Sequence, residues 1–99
     1  MPRLLQDPRK PGQPTLVLYD VADDKRRTRV MNACKDYGLA RLQYSAYQGR
    51  LTRTARRELE TRLEKALGPA SGLITVVALE QAQLDDATTI HHEGDEDEC

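Results

Sequence analysis

Two short apolar runs constrain this chain more than any other feature. Residues 15–19 read Thr-Leu-Val-Leu-Tyr, and residues 73–79 read Leu-Ile-Thr-Val-Val-Ala-Leu. Each is shorter than a core helix, rich in β-branched and aliphatic side chains, and free of polar alternation. Such runs read as strands buried on both faces, the first of them central in its sheet. Strands of that kind need a covering layer, and the sequence between them supplies it. Phe and Trp are absent and Tyr occurs 4 times, so the core must come from Leu, Val, Ile, Ala and Met. A chain of 99 residues is one small domain, and assembly with a second copy is a natural way to bury more apolar surface.

The covering layer is legible as two amphipathic helices. Asp23 and Asp24 offer an N-cap and favourable first-turn charge. Val30, Ala33, Cys34 and Tyr37 then recur at helical spacing, and Gly38 stops the pattern. Residues 39–51 change to period two and read as two strands joined by a tight kink. Leu42, Tyr44 and Ala46 point one way; Arg41, Gln43, Ser45 and Tyr47 point the other. Thr52 or Thr54 caps a second helix with the face Ala55, Leu59, Leu63, Ala66 and Leu67. Glu58 and Arg62 are placed to pair along it, and Gly68-Pro69 ends it. Residues 86–92 suggest a weak last strand. The order βαββαβ predicts an α+β, ferredoxin-like sandwich, an antiparallel sheet with two helices on one face. The domain spans residues 15–92. Residues 1–14, with Pro2, Pro8, Pro11, Pro14 and Gly12, form a flexible arm, and residues 93–99 an acidic, disordered tail.

The net charge of −1 conceals an uneven distribution. All 15 Lys and Arg lie in residues 1–65 with 8 acids, and residues 66–99 hold the other 8 acids. A basic body suits a phosphate backbone, through a force that salt screens. The acidic tail is expected to compete for that face. Cys34 and Cys99 have no spacing that implies a disulfide framework or a zinc site. No apolar leader and no membrane-length apolar stretch is present, which suggests a cytoplasmic protein without membrane contact.

Asp20 closes the first apolar run just before a helix N-terminus. A lone carboxylate there either holds a hard divalent cation or accepts a hydrogen bond from a loop. Mg²⁺ uses one or two carboxylates, waters and substrate phosphate oxygens, so a two-fold homodimer presenting two copies of Asp20 would make a better site. Lys25, Arg26, Arg27 and Arg29 open the first helix against its dipole, a mismatch that phosphate would relieve. Arg50, Arg53, Arg56 and Arg57 open the second helix, where they either track a nucleic-acid backbone or pair with Glu58, Glu60 and Glu64. Of Tyr44 and Tyr47, one belongs to the core and the other is free to stack on a base or pack at an interface.

Two blocks carry a family resemblance. Residues 18–30, Leu-Tyr-Asp-Val-Ala-Asp-Asp-Lys-Arg-Arg-Thr-Arg-Val, and residues 37–49, Tyr-Gly-Leu-Ala-Arg-Leu-Gln-Tyr-Ser-Ala-Tyr-Gln-Gly, resemble the Cas-two proteins of CRISPR adaptation. Family members often carry Val and Phe where this chain has Ala46 and Tyr47. The resemblance implies a ferredoxin-like homodimer and a Mg²⁺- or Mn²⁺-dependent endonuclease acting on single-stranded RNA or double-stranded DNA. It implies that Asp20 is the metal-binding and catalytic acid, with Tyr19 and Ser45 as further catalytic candidates. It implies nucleic-acid roles for Arg27, Arg29, Arg41 and Tyr47, to which the basic helix adds Arg53, Arg56 and Arg57. It further implies association with the Cas-one integrase. The alternatives are a non-catalytic DNA scaffold for that integrase and a toxin-type ribonuclease of similar fold.

Overall fold

The computed structural model describes residues 11–92 and 94. In chain order its elements are β1 (Gln13–Asp20), α1 (Asp24–Asp36), β2 (Ala40–Gln43), β3 (Ala46–Leu51), α2 (Arg53–Leu67), β4 (Leu73–Ala78) and α3 (Gln81–Asp85). The sheet order is β2-β3-β1-β4 and every paired neighbour is antiparallel. This is the expected α+β, ferredoxin-like arrangement, with β1 central.

The second half of β1 alternates. Val17 and Tyr19 face the helices and are buried, whereas Leu18 and Asp20 face away and are exposed. Val17 lies between Tyr47 of β3 and Val76 of β4. Over this face pack Val30, Ala33 and Cys34 of α1 and Leu59, Leu63 and Ala66 of α2. Those are the positions that the helical spacing marks.

The caps form as the sequence implies. The Asp23 carboxylate accepts from Arg26 N at 2.9 Å, and Thr52 Oγ1 accepts from Ala55 N at 3.1 Å. α1 ends in a Schellman arrangement: Leu39 N donates to Cys34 O at 3.1 Å and Gly38 N to Lys35 O at 2.9 Å. Gly38, at φ 77°, takes the left-handed position this requires.

Four expectations change. β1 starts at Gln13, so Gln13 and Pro14 belong to the sheet rather than to an arm. Pro14 is tolerated at the strand's start, where its carbonyl still accepts from Leu79 N at 2.9 Å. Neither apolar run is a strand buried on both faces: β4 is an edge strand with Leu73 64% exposed, and β1, though central, leaves Leu18 40% exposed on its far side. The expected strand at residues 86–92 does not form. Instead Glu80 and Gln83 close a capping box that starts α3, and residues 86–92 have no regular structure and are exposed. Arg62 pairs with Asp36 across the helices at 2.6 Å, not with Glu58 along its own helix. The arm over residues 1–10 and the tail at 93 and 95–99 lie outside the described residues.

Candidate functional site

Three segments meet at one end of the sheet. β1 ends there at Asp20, the β2–β3 turn crosses it at Tyr44-Ser45, and β4 begins there at Leu73, opposite Asp20. The turn holds two residues and neither takes a positive φ. It is therefore not one of the mirror-image turns that match strand twist, and the register shifts between Arg41 and Gln43 to accommodate it. That shift breaks the simple alternation expected over residues 41–47.

Backbone and side-chain bonds tie the turn to β1. Tyr19 N donates to Ser45 O at 3.0 Å, and Tyr19 Oη to Tyr44 O at 3.3 Å. Arg41 Nη2 donates to the same Tyr44 carbonyl at 3.2 Å. Between the turn and the β1–α1 loop lies an open cleft of about 430 Å³. Tyr19, Asp20, Val21, Ala22, Arg27, Tyr44 and Ser45 line it.

The cleft gathers Asp20, Tyr19, Ser45 and Arg27 from the expected set. Asp20 is exposed at its rim. Arg27 does not offer a free guanidinium: Nη1 donates to Val21 O at 3.2 Å and Ala22 O at 3.3 Å, and Nη2 pairs with Asp24. The Asp24 bond holds the Arg27 pKa above its ordinary value. Arg27 thus braces the loop that follows Asp20. Tyr19 is likewise a positioning residue, because its hydroxyl is engaged with the turn and burial raises its pKa.

The remaining expected residues do not line the cleft. Tyr47 is 1% exposed and stacks on Tyr19 with ring centroids 6.4 Å apart. It belongs to the core and cannot meet a base at the surface; the exposed ring of the pair is Tyr44, at 69%. Strand alternation alone could not say which of the two rings turns inward. Arg41 is exposed, with its guanidinium 5.4 Å from the centre of the Tyr44 ring. Arg29 lies on the outer face of the helical layer, in a groove with Asn32, Arg62 and Lys65. Arg53 and Arg57 are exposed on α2, whereas Arg56 lies 3.9 Å from Glu60. Arg26 turns toward the C-terminal end of α2, 3.5 Å from Ala66 O, so the basic cluster of α1 does not converge on one ligand.

No group of three or more metal-ligating side chains occurs among the described residues. The donors at the cleft are hard oxygens, one carboxylate with a neighbouring hydroxyl. That set is of the kind that suits a hydrated Mg²⁺ or Mn²⁺ held partly by waters and substrate. No helix among the described residues is long and apolar enough to cross a membrane.

Fold and cleft together define a small ferredoxin-like α+β protein with an acid at the end of its first strand and an arginine-braced loop behind it. Residues 14–87 match the family described as CRISPR associated protein Cas2, and the chain belongs to that family. It is 45% identical over 62 residues to a CRISPR-associated endoribonuclease Cas2 of Desulforudis audaxviator (strain MP104C), covering 63% of this chain and 58% of that protein. It is 35% identical over 75 residues to a CRISPR-associated endonuclease Cas1/endonuclease Cas2 fusion of Thermoproteus tenax, covering 76% of this chain and 28% of the fusion. The chain spans 58% and 52% of the lengths of two curated relatives it matches, between half and three-fifths. A crystal structure of a hypothetical protein TT1823 from Thermus thermophilus superposes with a TM-score of 0.64 at 24% identity, over 83% of this chain and 90% of that one. That likeness is one of fold.

Proposed function

We propose that this chain is a CRISPR adaptation protein that binds nucleic acid as a homodimer and cleaves phosphodiester bonds with a divalent cation at Asp20. The observation that carries the reading is the placement of Asp20: exposed, lining the cleft, and on the sheet face opposite α1 and α2. Leu18 and Leu73 share that face and are 40% and 64% exposed. Apposing two such faces would bury these leucines and bring two copies of Asp20 toward one another. Dimer formation thus hides apolar surface and supplies the second carboxylate that one chain lacks.

In this reading the two Asp20 carboxylates hold the cation, Mg²⁺ or Mn²⁺. When bound, it supplies Lewis-acid polarisation of the phosphodiester and a more acidic water. Arg27 fixes the β1–α1 loop so that Asp20 keeps its direction. Tyr19 fixes the turn that forms the opposite wall. Exposed cations on α1 and α2, Lys25, Arg29, Arg53 and Arg57 among them, attract the phosphate backbone from outside the cleft. The Thermoproteus relative, named as a fusion of both proteins, supports association with the Cas-one integrase. Membership of the family weighs against a toxin-type ribonuclease outside CRISPR.

The test is cleavage of labelled single-stranded RNA and double-stranded DNA by the purified chain, with Mg²⁺ or EDTA, beside an Asp20→Ala variant of unchanged mass in solution. Cleavage that needs the metal and vanishes in the variant is expected. Absence of cleavage by the wild type on both substrates would move the assignment to a non-catalytic DNA scaffold for the integrase.

A further inference from the structure

Among the described residues the large exposed apolar side chains are Leu18, Tyr44, Leu73 and Ile90. Leu18 and Leu73 lie on the open sheet face, which a second copy would cover. Ile90 lies in the irregular segment after α3. Tyr44 has neither explanation. Tyr19 and Tyr47 are buried and Tyr37 is half-buried, so Tyr44 alone among the tyrosines holds its ring out to water.

Its surroundings are ordered rather than loose. The carbonyl of Tyr44 accepts from both Tyr19 Oη and Arg41 Nη2, which fixes the backbone of the turn. The Arg41 guanidinium lies over the ring, 5.4 Å from its centre. A cation over one face leaves the other face, in a ring 69% exposed, open to a planar partner. Tyr44 is also one of the residues lining the cleft that holds Asp20, Ser45 and Arg27.

We propose that Tyr44 is a stacking platform for an unpaired base next to the phosphate addressed at Asp20, and that it makes the cleft selective for single-stranded nucleic acid. The inference rests on the reading of the cleft as a nucleic-acid site and adds its specificity. A base in a duplex already has both faces stacked, so it reaches the ring only after unstacking. An unpaired base reaches it freely, and stacking on an aromatic tolerates any sequence because every base has a π-face. Arg41 holds the ring against rotation and places a positive charge beside the backbone of the stacked nucleotide.

The test uses the full chain in EDTA, so that binding is read without cleavage. The probes are single-stranded RNA oligonucleotides carrying 2-aminopurine at successive positions, together with an unlabelled duplex of the same sequence. With the wild type, 2-aminopurine fluorescence is quenched at one position or two adjacent ones. Tyr44→Phe keeps the quench. Tyr44→Leu loses it and binds single strands about tenfold more weakly, while duplex binding changes less than about twofold. Equal quenching by Tyr44→Leu, or equal loss of single-strand and duplex binding, overturns the platform and leaves the nucleic-acid reading standing. Wild-type protein that binds neither probe overturns that reading and the platform with it.

Discussion

Tyr19 and Tyr47 stack in the core, yet removing the hydroxyl from each should act with opposite sign. Tyr47 Oη is buried and has no hydrogen-bond partner among the described residues. Burying an unpartnered hydroxyl costs about 1–3 kcal/mol. Tyr47→Phe removes that penalty and keeps the ring, so it should stabilise the fold by about 1 kcal/mol. Tyr19 Oη instead donates to Tyr44 O, at a long 3.3 Å. Tyr19→Phe loses that bond, but Arg41 Nη2 still donates to the same carbonyl, so no acceptor is orphaned. Its cost should lie at the low end for a hydrogen bond, about 0.5 kcal/mol. For a domain of this size 1 kcal/mol moves the midpoint of thermal unfolding by about 4–8 °C. Urea unfolding followed by circular dichroism reads both variants, at one protein concentration because assembly shifts apparent stability. A Tyr47→Phe variant destabilised by more than about 1 kcal/mol would show that its hydroxyl has a partner in the working assembly and would refute the reasoning.

Three further outcomes are expected. Gly68 has φ 57° and ψ −141°, and a Cβ there would lie 2.4 Å from Arg26 Nη1; Gly68→Ala should cost about 1–3 kcal/mol in urea unfolding, by backbone strain and by displacing Arg26 from the end of α2. Burial pushes the Cys34 thiol up from 9.0 to about 11. The folded state therefore keeps a proton that the unfolded chain loses first, so this contribution to stability is whole below pH 9 and falls as pH rises toward 11; unfolding of Cys34→Ala against wild type across that window should show the wild type alone losing it. Arg53→Ala or Arg57→Ala should weaken nucleic-acid binding alike for every sequence and lower the salt slope by roughly 1 each, whereas Arg56→Ala, already paired with Glu60, should lower it less.

How far the fold was legible follows from what sets each element. α1 and α2 were readable because their stops and starts are local: Asp23, Gly38, Thr52 and Gly68 act within a turn of where they stand. The order of elements followed from the change of period between residues 38 and 39. The position of β4 at the edge was not readable, since an apolar run reports that it will be covered and not by what. The apolar character of Leu73 and Leu18 did not announce their exposure, 64% and 40% on the far side of the sheet from α1 and α2. The extra strand at residues 86–92 failed because Glu80 and Gln83 favour a helical turn nearby and the segment has no apolar face to bury.

The candidate site divides the same way. Asp20 stood out as an acid closing an apolar strand, and its parity with Leu18 places it on the open face. The role of Arg27 was hidden in a run of four basic residues, because charge alone does not say which guanidinium reaches back to the Val21 and Ala22 carbonyls. Tyr44 and Tyr47 could not be told apart by period two across a turn with a register shift. The signal that separates them is three-dimensional, the pairing of Tyr47 with Val17 in the middle of the sheet.

The most direct test of the central claim, that two copies of Asp20 share one cation, is electron paramagnetic resonance of Mn²⁺ titrated into the purified protein. The account predicts one bound Mn²⁺ for every two chains, and its loss in Asp20→Asn at unchanged mass in solution. Binding of Mn²⁺ by Asp20→Asn as by the wild type, or one ion for each chain, would contradict it.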